Sequence, residues 1–327
     1  MKRNIFLAAF FIIIVFLVYT NLSVKPLLTP RVKQNLWQIR SIDTVKYSRD
    51  VAREKEKDLE FDKVIEIQVA NIAKTGANYI AIGTPYDSEF KPFLNRWVAA
   101  ARHYNLKVWF RGNFSGWEGW FNYPKIDRAQ HLKQTEEFIV NNSDLFEDGD
   151  IFTSCSECEN GGPGDPRQTR DIDGYRQFLI SEYNTSKTAF AKINKKVATG
   201  YFSMNGDIAR LIMDSTTTKA TGGVVVIDHY VATPEKLVGD VKELIKSSGG
   251  QLFLGELGVP IPDITGSMTE DEQANWIKKA LTDLPYQGDL IGLNYWVSVG
   301  GSTQLWDENN HPRKVVDVLK QFYSQKI

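Results

Sequence analysis

Gln251-Leu252-Phe253-Leu254-Gly255-Glu256-Leu257-Gly258 is a short apolar run that delivers a carboxylate into a glycine-flanked turn. A run of this length with large apolar residues reads as a strand buried on both faces, as in a parallel sheet. A carboxylate at the tip of such a strand is costly to bury unless it has a partner or a chemical role. Well upstream, Ile151-Phe152-Thr153-Ser154-Cys155-Ser156-Glu157 repeats the pattern and also leads into a glycine-rich loop.

The same kind of segment recurs along the chain. Strands are predicted at 38–44, 78–83, 107–112, 151–156, 197–203, 223–229, 251–256 and 289–296. Amphipathic stretches at 61–74, 90–104, 127–140, 172–195, 207–218, 234–247, 269–284 and 311–323 lie between and after them and read as helices. Thr233 is a natural N-cap for one, and Thr269-Glu270-Asp271-Glu272 is a capping-box pattern for another. Strict strand–helix alternation predicts an α/β fold, the (β/α)8 TIM barrel. A doubly wound sheet would also alternate. It would want a glycine-rich phosphate turn after the first strand, and Ser41-Ile42-Asp43-Thr44-Val45-Lys46 has no glycine.

The N-terminus differs in kind. Met1-Lys2-Arg3-Asn4 is basic, and positions 5–19 are apolar without a charge. Residues 1–24 therefore read as a signal peptide or a membrane anchor, with the lipid bilayer as a partner and the rest of the chain extracytoplasmic. Residues 25–36, with Pro26 and Pro30, form a linker, and 37–327 the barrel. A net charge of −1 leaves no electrostatic footprint for nucleic acid. The two cysteines, Cys155 and Cys158, are too few for a disulfide scaffold, although a local bridge between them is compatible with an oxidising compartment.

In a TIM barrel the site is built from the C-terminal ends of the strands and the loops that follow. Here those positions carry Asp43, Lys46, Tyr86, Arg111, Asn113, Trp117, Glu118, Trp120, Glu157, Glu159, Asn160, Asp228, His229, Tyr230, Glu256, Asn294 and Trp296. Carboxylates, amides and aromatics suit a neutral polyhydroxylated ligand, an oligo- or polysaccharide. There is no Lys/Arg cluster for phosphate and no His set for a metal, so no metal or cofactor is expected. Alternation along the strands, with Glu157 on the face of Cys155 and Thr153 and Glu256 on that of Leu254 and Leu252, is read as aiming both glutamates at the barrel axis.

The chain resembles the clan GH-A retaining glycosidases, which include glycoside hydrolase family 5. Gly255-Glu256-Leu257-Gly258 is similar to the clan's strand-seven ending, and Ser156-Glu157-Cys158 stands where the clan has Asn-Glu-Pro. Asp228-His229-Tyr230 resembles its strand-six His-x-Tyr, and Asn294-Tyr295-Trp296 its strand-eight tryptophan. The resemblance implies a (β/α)8 barrel that hydrolyses O-glycosidic bonds of a β-linked glycan. It implies Glu256 as nucleophile and Glu157 as acid/base, with Glu159 the alternative for the second role. It implies a sugar platform at Trp296 and a Tyr230 hydrogen bond to the nucleophile. Trp117, Trp120, Asn113, Asn160, His229 and Asp228 are further candidates for substrate binding. The sequence departs from the pattern at Ser156 and Asp228, and the clan's strand-two arginine has its nearest substitute in Arg111. A catalytically inactive glycan-binding barrel is the competing expectation.

Overall fold

Eight parallel strands form one sheet: β1 (Ile39–Asp43), β2 (Tyr79–Ile82), β3 (Lys107–Phe110), β4 (Ile151–Phe152), β5 (Ser203–Asn205), β6 (Val224–Asp228), β7 (Gln251–Leu257) and β8 (Leu290–Tyr295). The computed structural model describes residues 36–325, apart from 45, 48, 120, 121, 286 and 287. The sheet order is β4-β3-β2-β1-β8-β7-β6-β5, and a parallel bridge between Ile151 and Ala198 joins its two ends. One principal helix follows each strand: α1 (Phe61–Ala73), α2 (Lys91–His103), α3 (Arg128–Asn141), α4 (Ile172–Lys192), α5 (Gly206–Ile212), α6 (Pro234–Ser248), α7 (Glu270–Asp283) and α8 (Val315–Tyr323). This is the (β/α)8 barrel that the alternation predicts. The expected anchor at 1–24 and linker residues 25–35 lie outside the described residues. Among the described residues no helix is long and apolar enough to cross a membrane.

The helix starts follow the sequence signals. Thr233 accepts a hydrogen bond from the Lys236 amide ahead of Pro234, and Thr269 with Glu272 closes a full capping box on α7. Strand five departs from expectation. Of the stretch 197–203, Ala198 makes only the closing bridge, and the regular ladder with β6 begins at Ser203. Gly200 interrupts the extended run. Its φ is +82°, and a Cβ there would lie 2.1 Å from the Thr221 carbonyl oxygen.

The barrel interior is a packed layer with one side chain from each strand or its lead-in: Ile39, Ala81, Trp109, Ile151, Tyr201, Val226, Phe253 and Ile291. Trp109 meets Phe253 across the axis with ring centroids 5.0 Å apart, and its indole donates to Thr153 Oγ1 at 2.8 Å. A larger core joins the outer strand faces to the helices and contains Leu252, Leu254, Ile42 and Ile227.

That division corrects the alternation argument for Glu256. Leu252 and Leu254 face the helices, so unbroken alternation from them would turn Glu256 outward too. A bulge prevents this. Ile227 pairs with Leu254 and Asp228 with Glu256, which leaves Gly255 as the extra residue on β7. The bulge resets the pleat and swings Glu256 to the axis above Phe253. Only glycine fits there, since a Cβ would lie 2.5 Å from Asp228 Oδ1 and 2.7 Å from Val226 Cγ1. Gly255→Ala is therefore expected to destabilise the barrel by about 1–3 kcal/mol through overpacking and to lower any activity that depends on Glu256. Thermal unfolding of the variant beside wild type checks this, and an unchanged melting temperature would contradict it.

Candidate active site

Directly above the apolar layer lies a polar one. Arg111, at the end of β3, sits 5.2 Å over the Trp109 ring. Its Nη1 donates to Asp43 Oδ2 at 2.7 Å and pairs with Glu256 Oε1 at 2.6 Å. Its Nη2 donates to Asp228 Oδ2 at 2.6 Å and to Ser203 Oγ at 3.2 Å. Asn294 Nδ2 ties Asp43 to the bulge, at 3.1 Å from Asp43 Oδ2 and 2.8 Å from the Gly255 carbonyl. Arg111 thus gathers carboxylates from β1, β6 and β7 around one guanidinium.

Three carboxylates share one cation, and burial decides where protons go. Burial pushes Asp43 up to about 7 against the pull of Arg111. Asp228 is driven well above the usual carboxylate range, again mainly by burial. Arg111 is held charged. Its burial opposes that, and the charges of Asp228, Glu256 and Asp43 outweigh it. Glu256 is the most open of the three carboxylates and accepts a second hydrogen bond, from the Tyr230 hydroxyl at 2.5 Å. Trp296, half-buried and followed by a cis peptide to Val297, stands edge-on to Tyr230 with centroids 6.2 Å apart. Glu256, Tyr230 and Trp296 therefore lie together at one side of the mouth.

Glu157 reaches the same mouth by a different route. Regular pairing of β4 stops at Phe152, and the chain then turns at Glu157, whose φ of 48° is left-handed. The turn is pinned by its backbone. The Glu157 amide donates to the Ser203 carbonyl, and its own carbonyl accepts from the Asn160 amide, both at 2.9 Å. A left-handed non-glycine residue is uncommon and marks a position held by its surroundings. Among the described residues, no hydrogen bond reaches the Glu157 carboxyl. Burial raises its pKa first and the Glu256 charge second, while Lys46 and Arg111 pull it down.

Glu159 points elsewhere. Its Oε1 accepts from the Asn205 amide at 2.8 Å and the Asn205 side chain at 3.2 Å, and Tyr175 approaches Oε2 at 3.4 Å. It anchors the loop to β5 and α4, away from the Arg111 cluster. Burial raises it to about 7. Cys155 and Cys158, on the same loop, are bonded to each other.

Several expected substrate-binding residues have other positions. Trp117 is buried, stacks on Phe178 of α4 at 5.0 Å and abuts His131 of α3. The glycine-rich loops look open in sequence, but Gly161 and Gly162 let the chain close tightly on this indole, 2.2 Å from where a Gly162 Cβ would lie. His229 turns outward and binds Asp240 of α6 at 2.8 Å. Asp228 is committed to Arg111. Asn113 spends its amide on protein partners: Nδ2 on Glu118 and the Ser156 carbonyl, and Oδ1 on the Ser156 amide. The Ser156 hydroxyl donates to the Arg111 carbonyl. Asn160 acts through its backbone, which accepts the Gly119 amide at 2.8 Å. Trp120 lies outside the described residues. Asp43, Lys46, Glu118 and Asn294 also stand at the rim, with roles that the sequence does not disclose. Their position at strand ends was the only signal. Among the described residues no group of three or more His, Cys, Asp or Glu is arranged to hold a metal.

The barrel superposes on a GH5_18 protein of Bifidobacterium longum, solved with Manβ1-4GlcNAc, at a TM-score of 0.65. The match has 13% identity and covers 88% of this chain and 78% of that one. The likeness is one of fold, a (β/α)8 barrel shared with this GH5_18 protein. A GH5_18 protein of Streptomyces cattleya, solved with GlcNAc, matches at a TM-score of 0.62 with 10% identity over 87% of this chain and 80% of that one. A β-glucuronidase of Ruminococcus gnavus matches at 0.60 with 10% identity over 89% of this chain and 52% of that one. No family model and no curated protein matches the sequence.

The contrast between the two loop glutamates has a consequence for stability. Glu159 holds a proton in the folded state up to about 7, against an ordinary value of 4.5. The unfolded chain releases its proton lower, so this group's favourable contribution is complete below about 4.5 and lost as pH rises through about 7. Glu159→Gln is a neutral isostere whose oxygen still accepts both Asn205 donors. The variant should melt higher than wild type above pH 7, match it near pH 4, and keep the Glu157 turn. Calorimetric melts across that range test this, and a wild-type advantage at high pH would refute it.

Proposed function

We propose that the protein is a retaining β-glycosidase acting on a β-linked oligo- or polysaccharide, a glucan, mannan or related glycan. The observation that carries the reading is the unequal environment of two carboxyls at one barrel mouth. Glu256 is gripped by Arg111 and Tyr230. Glu157 has no such grip, and burial and the Glu256 charge favour its protonated form. Pairs of carboxyls pushed apart in this way divide into a nucleophile and an acid. The barrel fold shared with GH5_18 proteins supports the same assignment.

Glu256 attacks the anomeric carbon while Glu157 passes its proton to the departing glycosidic oxygen. The aglycone leaves, and an ester joins the sugar to Glu256. Ester formation removes the negative charge that disfavoured ionisation of Glu157. The Glu157 carboxylate then takes a proton from water, whose oxygen attacks the anomeric carbon and releases Glu256. Tyr230 and Arg111 orient the nucleophile by holding one oxygen each. Trp296 offers an apolar face to the sugar ring. The barrel acts outside the cytoplasm, with residues 1–24 as its membrane anchor or signal peptide. Full-length protein should sediment with membranes and resist extraction by salt; a soluble pool with an intact N-terminus would contradict an anchor.

Aryl β-glucosides and β-mannosides are suitable first substrates. Glu256→Gln should abolish turnover on all of them. Glu157→Gln should lose about 10²–10⁴ in kcat/KM on glycosides with poor leaving groups, and far less on a dinitrophenyl glycoside, whose departure needs no proton. The basic limb of the wild-type kcat/KM profile should lie above the ordinary glutamate value of 4.5, because Glu157 must be protonated to act. Equal losses for both variants on both substrate types would overturn the division of roles. Sugar binding without turnover on any of them would favour the inactive-barrel reading.

A further inference from the structure

A cavity of about 270 Å³ opens beside Glu157, on the side of β1 to β3. Its wall includes Lys46, Arg49, Glu118 and Tyr123, none of which the hydrolytic steps above require. The wall is built from the inside outward. Asn113 Nδ2 fixes Glu118 at 3.0 Å, and Glu118 fixes the Lys46 ammonium at 3.0 Å. The Arg49 guanidinium carbon lies over the Tyr123 ring, 3.3 Å from its centroid. Its ion-pair partner, Asp50 at 3.2 Å, is 69% exposed.

Charge decides what such a cavity prefers. Lys46 and Arg49 contribute two cations, and Glu118 one fixed anion. Glu157, in the protonated form that begins the reaction, contributes none. The lining groups then sum to one net positive charge, offset only by the exposed Asp50 outside the lining, around a volume suited to a sugar ring or a substituent of one. The Arg49–Asp50 pair is too solvated to hold Arg49 strongly, and exposed pairs of this kind contribute about 0–1 kcal/mol. A ligand anion can take over that guanidinium in a less solvated place, where a bidentate contact counts for more. The stacked arginine and the tethered lysine are already ordered, so little is lost in fixing them on binding.

We infer that this cavity takes a sugar unit bearing an anionic group, a uronate or a sulfate ester, next to the bond that Glu157 protonates, with Arg49 and Lys46 as its counter-charges. The inference rests on the glycosidase reading of the same mouth, which it deepens by naming a substrate class. Arg49 and Lys46 are specificity-determining residues here, and Arg49 makes the cleaner test because it touches neither glutamate.

The test is calorimetric titration of the full-length protein with D-glucuronate, D-glucose 6-sulfate, D-glucose and inorganic sulfate at fixed pH and ionic strength. At least one acidic sugar should bind at least about tenfold more tightly than glucose, and Arg49→Gln should remove most of that preference. Glucuronate ahead of the sulfate ester assigns a carboxylate ligand, and the reverse order a sulfate. Glucose binding as well as the acidic sugars overturns the inference. So does inorganic sulfate binding as well as they do, a preference that survives Arg49→Gln, or no binding by either acidic sugar. Hydrolysis of neutral aryl glycosides without acidic preference would refute this inference alone. Acidic-sugar binding without turnover would leave it standing and remove the glycosidase reading.

Discussion

Arg111 is one guanidinium with contacts to three carboxylates, each brought by a different strand. It replaces water for all of them in a place where water is scarce. Buried charges without such a partner cost several kcal/mol each, so Asp43, Asp228 and Glu256 could not sit together at this depth without it. The arginine in turn depends on the barrel, because the Trp109 ring beneath it sets its height. With three possible anions and one cation, the two most buried aspartates retain protons most readily. The most open carboxylate, Glu256, is left facing the mouth with Tyr230 beside it.

Two local backbone devices place Glu256 and Glu157, and neither is regular strand. The bulge at Gly255 reverses the side to which Glu256 would otherwise point, and Asp228 occupies the space that a Gly255 side chain would need. The bulge and the carboxylate cluster thus fit each other. At Glu157 a left-handed turn, clamped to Ser203 and Asn160, carries the side chain beyond the end of β4. Glu159 holds the same loop from behind through Asn205. The two neighbouring glutamates therefore divide between the mouth and the scaffold, although their sequence spacing treats them alike.

What was legible in the sequence was periodic or terminal. Alternating apolar runs and helix caps such as Thr233 and Thr269 located the barrel, and strand tips located Glu157, Glu256, Tyr230 and Trp296. What was not legible depended on close approach. Trp117 is a substrate-binding candidate from sequence, but Gly161 and Gly162 of the facing loop let that chain pack onto its indole. His229 and Asp228 are adjacent in sequence, and the pleat sends one to Asp240 and the other to Arg111. The right orientation of Glu256 was expected from an alternation that the bulge breaks. Strand five was misplaced because Gly200 interrupts a run that otherwise reads as extended.

The central claim is that Glu256, held by Arg111 and Tyr230, forms a covalent bond to the sugar. Incubating the protein with 2-deoxy-2-fluoro-β-glycosyl fluorides of the gluco and manno series, followed by peptide mass spectrometry, tests it directly. The account predicts one glycosyl adduct per chain, located on Glu256 and absent from Glu256→Gln. An adduct on Glu157 or Glu159, or steady turnover of these compounds with no adduct at any time point, would contradict it.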